Sequence, residues 1–238
     1  MKEKLYAIPV NDAFNEDCEC PICAMYNKLE TDAVDFTMDN SYMVDDVRME
    51  TDAKGFCNKH IKMVYNKENR LGMALVMSTH MKKINEEMRK LIDQSTTPKK
   101  TSIFSKANDS DNELVKYIEN LEKKCFVCER IDNFFQNYVN TVFYLYKTDN
   151  TFAQKYNRCK GFCVGHYKIL IENAPKKLGG DTLAQFVKTT NALFIDNMDR
   201  VYEDVDWFCK KFDYKNTDAP WKNSKDSLPR GLIKLNRE

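Results

Sequence analysis

Two cysteines, and some thirty residues later a cysteine and a histidine, occur twice in this chain, and no other feature constrains its fold as strongly. Cys20-Pro21-Ile22-Cys23 is followed by Gly55-Phe56-Cys57-Asn58-Lys59-His60, and Cys125-Phe126-Val127-Cys128 by Gly161-Phe162-Cys163-Val164-Gly165-His166. The copies are offset by 105 residues at the first pair and by 106 at the second. In each copy 33 or 34 residues lie between the two pairs. A spacing held this closely through an otherwise divergent sequence marks an internal repeat of one structural unit.

A CxxC pair places two thiolates on one tight turn, within reach of a single ion. A CxxH pair opening a helix places Cys and His at i and i+3 on one helical face. Together they make a Cys3His set, a complete tetrahedral shell for Zn(II). The intervening residues suffice for a helix to run out and a second segment to return, so the expectation is a helical hairpin stapled by its own metal. On that reading Cys20, Cys23, Cys57 and His60 form one site, and Cys125, Cys128, Cys163 and His166 the other. Cysteines inherited through a duplication with no ligand role would leave two of the chain's three histidines unexplained at equivalent positions. Closed four-ligand sites favour structural zinc, two ions per chain, with an iron–sulfur cluster as the alternative cofactor.

Composition points to helices. Seven glycines and six prolines are roughly 5% of 238 residues, against an ordinary usage of about 12%. Apolar residues recur at helical spacing: Leu75, Val76, Met81, Ile84, Met88 and Leu91; then Leu114, Ile118 and Leu121; then Ile131, Phe134, Phe135, Tyr138, Val142 and Leu145. A stripe from Leu183 to Val205 predicts a helix of six or more turns. The expected fold is all-α, two related helical units in tandem. Residues 1–95 would form the first unit, 96–111 a polar linker around Pro98, 112–214 the second unit, and 215–238 a C-terminal tail. The tail's Leu228, Leu232, Ile233 and Leu235 are expected to dock on the bundle.

Charge and motif content narrow the functional classes. Thirty-seven basic and 36 acidic residues give a net +1, and residues 1–60 carry 13 acidic against 6 basic side chains. Nucleic-acid binding is therefore disfavoured. No apolar run exceeds five residues, so neither a transmembrane helix nor a secretory signal is expected. The expected location is the cytoplasm, where nine cysteines stay reduced. HExxH, GxSxG, the P-loop and GxGxxG are absent, and thioredoxin chemistry expects a βαβ context that these patterns lack. Cys18 and Cys159 are candidates for substitute ligands or redox thiols beside the sites, or for spare thiols. Cys209 is expected in the core, and His80 to be a structural histidine.

The CPIC and GFCNKH, CFVC and GFCVGH motifs, with Phe212-Asp213-Tyr214, Pro220-Trp221 and Leu228-Pro229-Arg230, resemble a bacterial family of unknown function common in anaerobic Gram-positive bacteria. The resemblance spans nearly the whole chain and implies a bacterial cytosolic protein. The leading functional expectation is structural zinc supporting a helical interaction scaffold, with a protein as its partner. A redox or metal-responsive protein is the first alternative, and a metal-dependent enzyme with one exchangeable site the second.

Overall fold

The computed structural model describes residues 5–39, 41–95 and 112–237. Eleven α-helices and no β-strand occur among them: α1 Ala7–Asn15, α2 Pro21–Met38, α3 Asp45–Lys54, α4 Asn58–Tyr65, α5 Arg70–Ser95, α6 Glu113–Glu122, α7 Phe126–Thr148, α8 Asn150–Tyr156, α9 Val164–Lys177, α10 Gly180–Lys210 and α11 Ser227–Asn236. The all-α expectation holds, and the stripe from Leu183 to Val205 lies within the 31 residues of α10. The expected linker, 96–111, lies outside the described residues.

The chain divides into two compact units that do not follow the expected tandem boundary. Unit one comprises residues 1–28 and 134–238, and unit two residues 29–133. Each unit is thus built from both copies of the repeat. The breaks fall inside α2 and α7, each of which contributes residues to both units.

Helix lengths explain why neither copy closes on itself. With 18 residues, α2 carries the chain about 27 Å from its CxxC turn, while the 10 residues of α3 recover only about 15 Å. In the second copy α7 runs about 35 Å over 23 residues, and the 7 residues of α8 recover about 10 Å. The outbound helix is the longer in both, so the CxxH pair arrives far along it rather than back at its start.

Unit one is organised around aromatic packing. Tyr156 is fully buried, and its ring lies 5.1–5.3 Å from those of Tyr146, Phe162 and Phe186, with Phe14 at 5.6 Å. Its hydroxyl shares a 2.8 Å hydrogen bond with Thr190 Oγ1, which also donates to the Phe186 carbonyl. The C-terminal segment contributes α11, packed on α9 and α10. Its anchor differs from the expected apolar one: Leu228, Leu232 and Leu235 are exposed and Ile233 is half-buried, whereas Lys234 is buried. Cys209, expected in the core, is exposed.

In unit two α3 packs against α5. Thr79 Oγ1 donates to Asp52 Oδ1 at 2.5 Å, and His80 Nδ1 bonds the Asp52 carbonyl at 2.8 Å. His80 is therefore a structural histidine. Its ring lies against Gly55, which has φ +60° and leaves no room for a Cβ.

Tyr156→Ala should destabilise unit one by about 3–5 kcal/mol through the cavity it leaves. Tyr156→Phe should cost about 1 kcal/mol, since Thr190 keeps its bond to Phe186. Urea unfolding of the two variants measures the difference.

Candidate metal centres

All eight residues picked out by the repeat come together, but in crossed sets. Cys20, Cys23, Cys163 and His166 form one cluster, and Cys57, His60, Cys125 and Cys128 the other, with the donor atoms of each set within 4.8 Å of one another. The expected pairing of each CxxC with the CxxH of its own copy is corrected: each CxxC meets the CxxH of the other copy, because neither intervening segment returns to its starting turn. Each cluster lies wholly within one unit.

Helix starts present the donors. Cys20 and Cys125 precede α2 and α7, and Cys57 and Cys163 are the N-cap residues of α4 and α9. Backbone amides donate to sulfur: Cys23 to Cys20 at 3.4 Å, Cys128 to Cys125 at 3.5 Å and His166 to Cys163 at 3.4 Å. Free amides and the helix dipole at these ends favour thiolate over thiol.

The separations match a mononuclear tetrahedral site. One ion with ordinary Zn–S and Zn–N bonds sets S···S edges of about 3.8 Å and S···N edges of about 3.5 Å. In unit one, Cys23 and Cys163 sulfurs are 3.6 Å apart, and His166 Nδ1 is 3.2–3.6 Å from the sulfurs of Cys20, Cys23 and Cys163. In unit two, Cys57 and Cys128 sulfurs are 3.9 Å apart, and His60 Nδ1 is 3.2–3.3 Å from those of Cys57, Cys125 and Cys128. In both clusters the imidazole turns Nδ1 inward and leaves Nε2 facing out.

Crowding makes the thiols share charge unequally. Hydrogen bonds from Cys20 and Cys23 hold Cys163 far below the usual thiol range, against the opposing effect of burial. Burial and then the bond to Cys163 push Cys20 up, while the bond to Cys163 leads the effects that raise Cys23 to about 12. In unit two burial would raise Cys125, but hydrogen bonds from His60 and from the Cys128 and Cys57 amides bring it down to about 6. Burial and the Cys125 charge push Cys128 up. One thiolate per cluster forms readily, and three could coexist only around a bound cation.

Outside the donors the clusters diverge. His60 Nε2 is 2.9 Å from Glu30 Oε1, and Lys59 Nζ holds the same oxygen at 2.7 Å. Burial would lower the His60 pKa, but bonds to Cys125 and Glu30 raise it to about 9. Seven residues past the CxxC pair, where the first copy has Glu30, the second has Phe135. Phe135 lies against His166 at 5.6 Å between ring centroids, and His166 Nε2 is buried with no hydrogen-bond partner among the described residues. The motif alone gave no sign of Glu30, whose role emerges only because α2 carries it beside His60 of α4.

The remaining cysteines stand outside both sets. Cys18 Sγ points to the Ala13 carbonyl and Cys159 Sγ to the Gly161 carbonyl, each at 4.0 Å, and burial raises both thiols, Cys159 to about 12. Glu30→Gln should weaken metal retention at the unit-two cluster by about 10–100-fold and leave the unit-one cluster unchanged, because a carboxylate behind a ligating imidazole fixes its tautomer and raises its basicity. Competition with a chromophoric chelator measures this.

No helix among the described residues is long and apolar enough to cross a membrane. No curated protein and no solved structure matches the chain. A model of a family of unknown function, DUF6062, matches residues 1–238, and the chain belongs to that family.

Proposed function

We propose that this protein is a helical scaffold held by two structural Zn(II) ions per chain, one bound by Cys20, Cys23, Cys163 and His166 and the other by Cys57, His60, Cys125 and Cys128. The observation that carries the reading is the spacing of donors around a single point in each cluster. Ligands of an iron–sulfur cubane bind four different irons and must stand farther apart than ligands sharing one ion, so this spacing supports zinc over the cluster alternative. Four protein donors also complete a zinc shell and leave no position for substrate, which supports a structural role over a catalytic one.

The ions would supply cohesion that short-range packing does not. Each joins segments far apart in sequence, Cys23 to Cys163 across 140 residues and Cys57 to Cys128 across 71. Metal-binding free energy then becomes folding free energy, of about 10 kcal/mol or more per structural zinc. All nine cysteines are free thiols, as a reducing bacterial cytoplasm would keep them. The scaffold's surface would receive a protein partner, and the exposed side chains of Phe212 and Tyr214 are where such contact is most accessible.

Protein purified without oxygen should contain two zinc per chain by mass spectrometry and show no visible absorbance. A strong chelator should abolish the cooperative unfolding transition followed by circular dichroism, and added zinc should restore it. Iron with sulfide, or an unchanged transition in the metal-free protein, would refute the reading.

A further inference from the structure

The two clusters are presented to solvent differently, and the difference traces to one helix. In unit one all four donors are buried, Cys20 at 1% and Cys163 at 0% exposure. In unit two Cys57 and Cys128 are only half-buried.

Position-by-position comparison of the two copies shows how this arises. In unit two the loops carrying the pairs are joined directly: the Phe126 amide donates to the Gly55 carbonyl at 3.0 Å. The equivalent of Phe126 in the other copy is Pro21, which has no N–H to donate. Unit one makes the join with a side chain instead. Lys234 Nζ, from α11, donates to the Glu19 carbonyl at 2.7 Å and to the Lys160 carbonyl, and pairs with Glu19 Oε2 at 3.2 Å. Glu19 immediately precedes Cys20, and Lys160 lies three residues before Cys163, so one buried ammonium holds both ligand loops.

A second substitution follows the same logic. Lys59, between Cys57 and His60, corresponds to Gly165 between Cys163 and His166. The Arg237 guanidinium occupies the place where a Cβ on Gly165 would stand. With Ile233, Arg237 also walls a cleft of about 290 Å³ that reaches Cys20 and Cys23. The glycine admits the C-terminal segment, and the C-terminal segment covers the thiols. Cys57 and Cys128, by contrast, keep part of their surface open.

We propose that the two ions are kinetically unequal: α11 seals the unit-one ion as a permanent staple, and the unit-two ion is exchangeable, given up to small thiol- or nitrogen-donor acceptors that reach it past Cys57 and Cys128. Exchange is ligand substitution without redox change: an incoming donor binds zinc as a cysteine thiolate leaves and takes a proton from water. The inference rests on the zinc reading above.

The test uses the zinc-loaded full chain with 4-(2-pyridylazo)resorcinol as acceptor and N-ethylmaleimide as thiol trap, followed by peptide mass mapping. One zinc should leave first, with Cys57, Cys125 and Cys128 alkylated together. The second should leave more slowly by about tenfold or more, the scale on which residues behind the ligands alter metal retention, with Cys20, Cys23 and Cys163 alkylated only then. Lys234→Met and Arg237→Ala should each accelerate the slow phase and leave the fast phase unchanged. Equal release rates in the wild-type chain, or release from unit one first, would overturn the inference. A chain that carries no zinc would instead refute the underlying metal reading.

Discussion

Three sulfurs packed with an imidazole nitrogen within 4.8 Å can all be thiolates only around a cation, and that constraint governs both units. The thiols respond by spreading apart in acidity, with Cys163 and Cys125 driven down and Cys20, Cys23 and Cys128 driven up. A divalent ion bound there would remove the conflict by neutralising the excess charge. It would do so between segments 71 and 140 residues apart, where closing the loop costs little more than closing a short one, because the entropy grows only with the logarithm of length. A crossed connection is thus only slightly harder to close than a local hairpin, and the lengths of α2 and α7 favour it.

From a shared set of donors the two units have specialised in what lies behind them. Unit two supports His60 with a charged relay, Glu30 and Lys59, and joins its ligand loops through the Phe126 amide. Unit one has Phe135 in place of the glutamate, Gly165 in place of the lysine and, in place of Phe126, Pro21, which has no N–H, and it depends on Lys234 and Arg237 from the end of the chain. Leaving His166 Nε2 buried with no partner among the described residues costs unit one about 1–3 kcal/mol. The C-terminal helix thus serves as the wall that the second copy of the repeat does not itself provide.

Much of this was legible in the residues and some was not. The eight donors follow from residue type and spacing, and the helices from periodicity, because both signals are local. The pairing of donors is not local. It depends on the ratio of outbound to returning helix length, which a periodic pattern blurs: the reading of 33 intervening residues as one hairpin missed that α3 is barely half as long as α2. Similarly, Lys234 in a run of apolar residues reads as a solvated charge, yet it is buried while three of its leucine neighbours are exposed. Two of its three partners are backbone carbonyls, which carry no signature in the sequence, and the third, Glu19, is 215 residues away. Glu30 is hidden for the same reason, being one acidic residue among 13 in the first 60.

The crossed connection is tested most directly by Cys57→Ser in the zinc-loaded chain, reading which thiols become open to alkylation. The structure predicts that Cys125 and Cys128, one copy away in sequence, lose their protection while Cys20 and Cys23 keep theirs, with one zinc retained. Exposure of Cys20 and Cys23 with Cys125 and Cys128 still protected would contradict it and restore the hairpin closed within each copy.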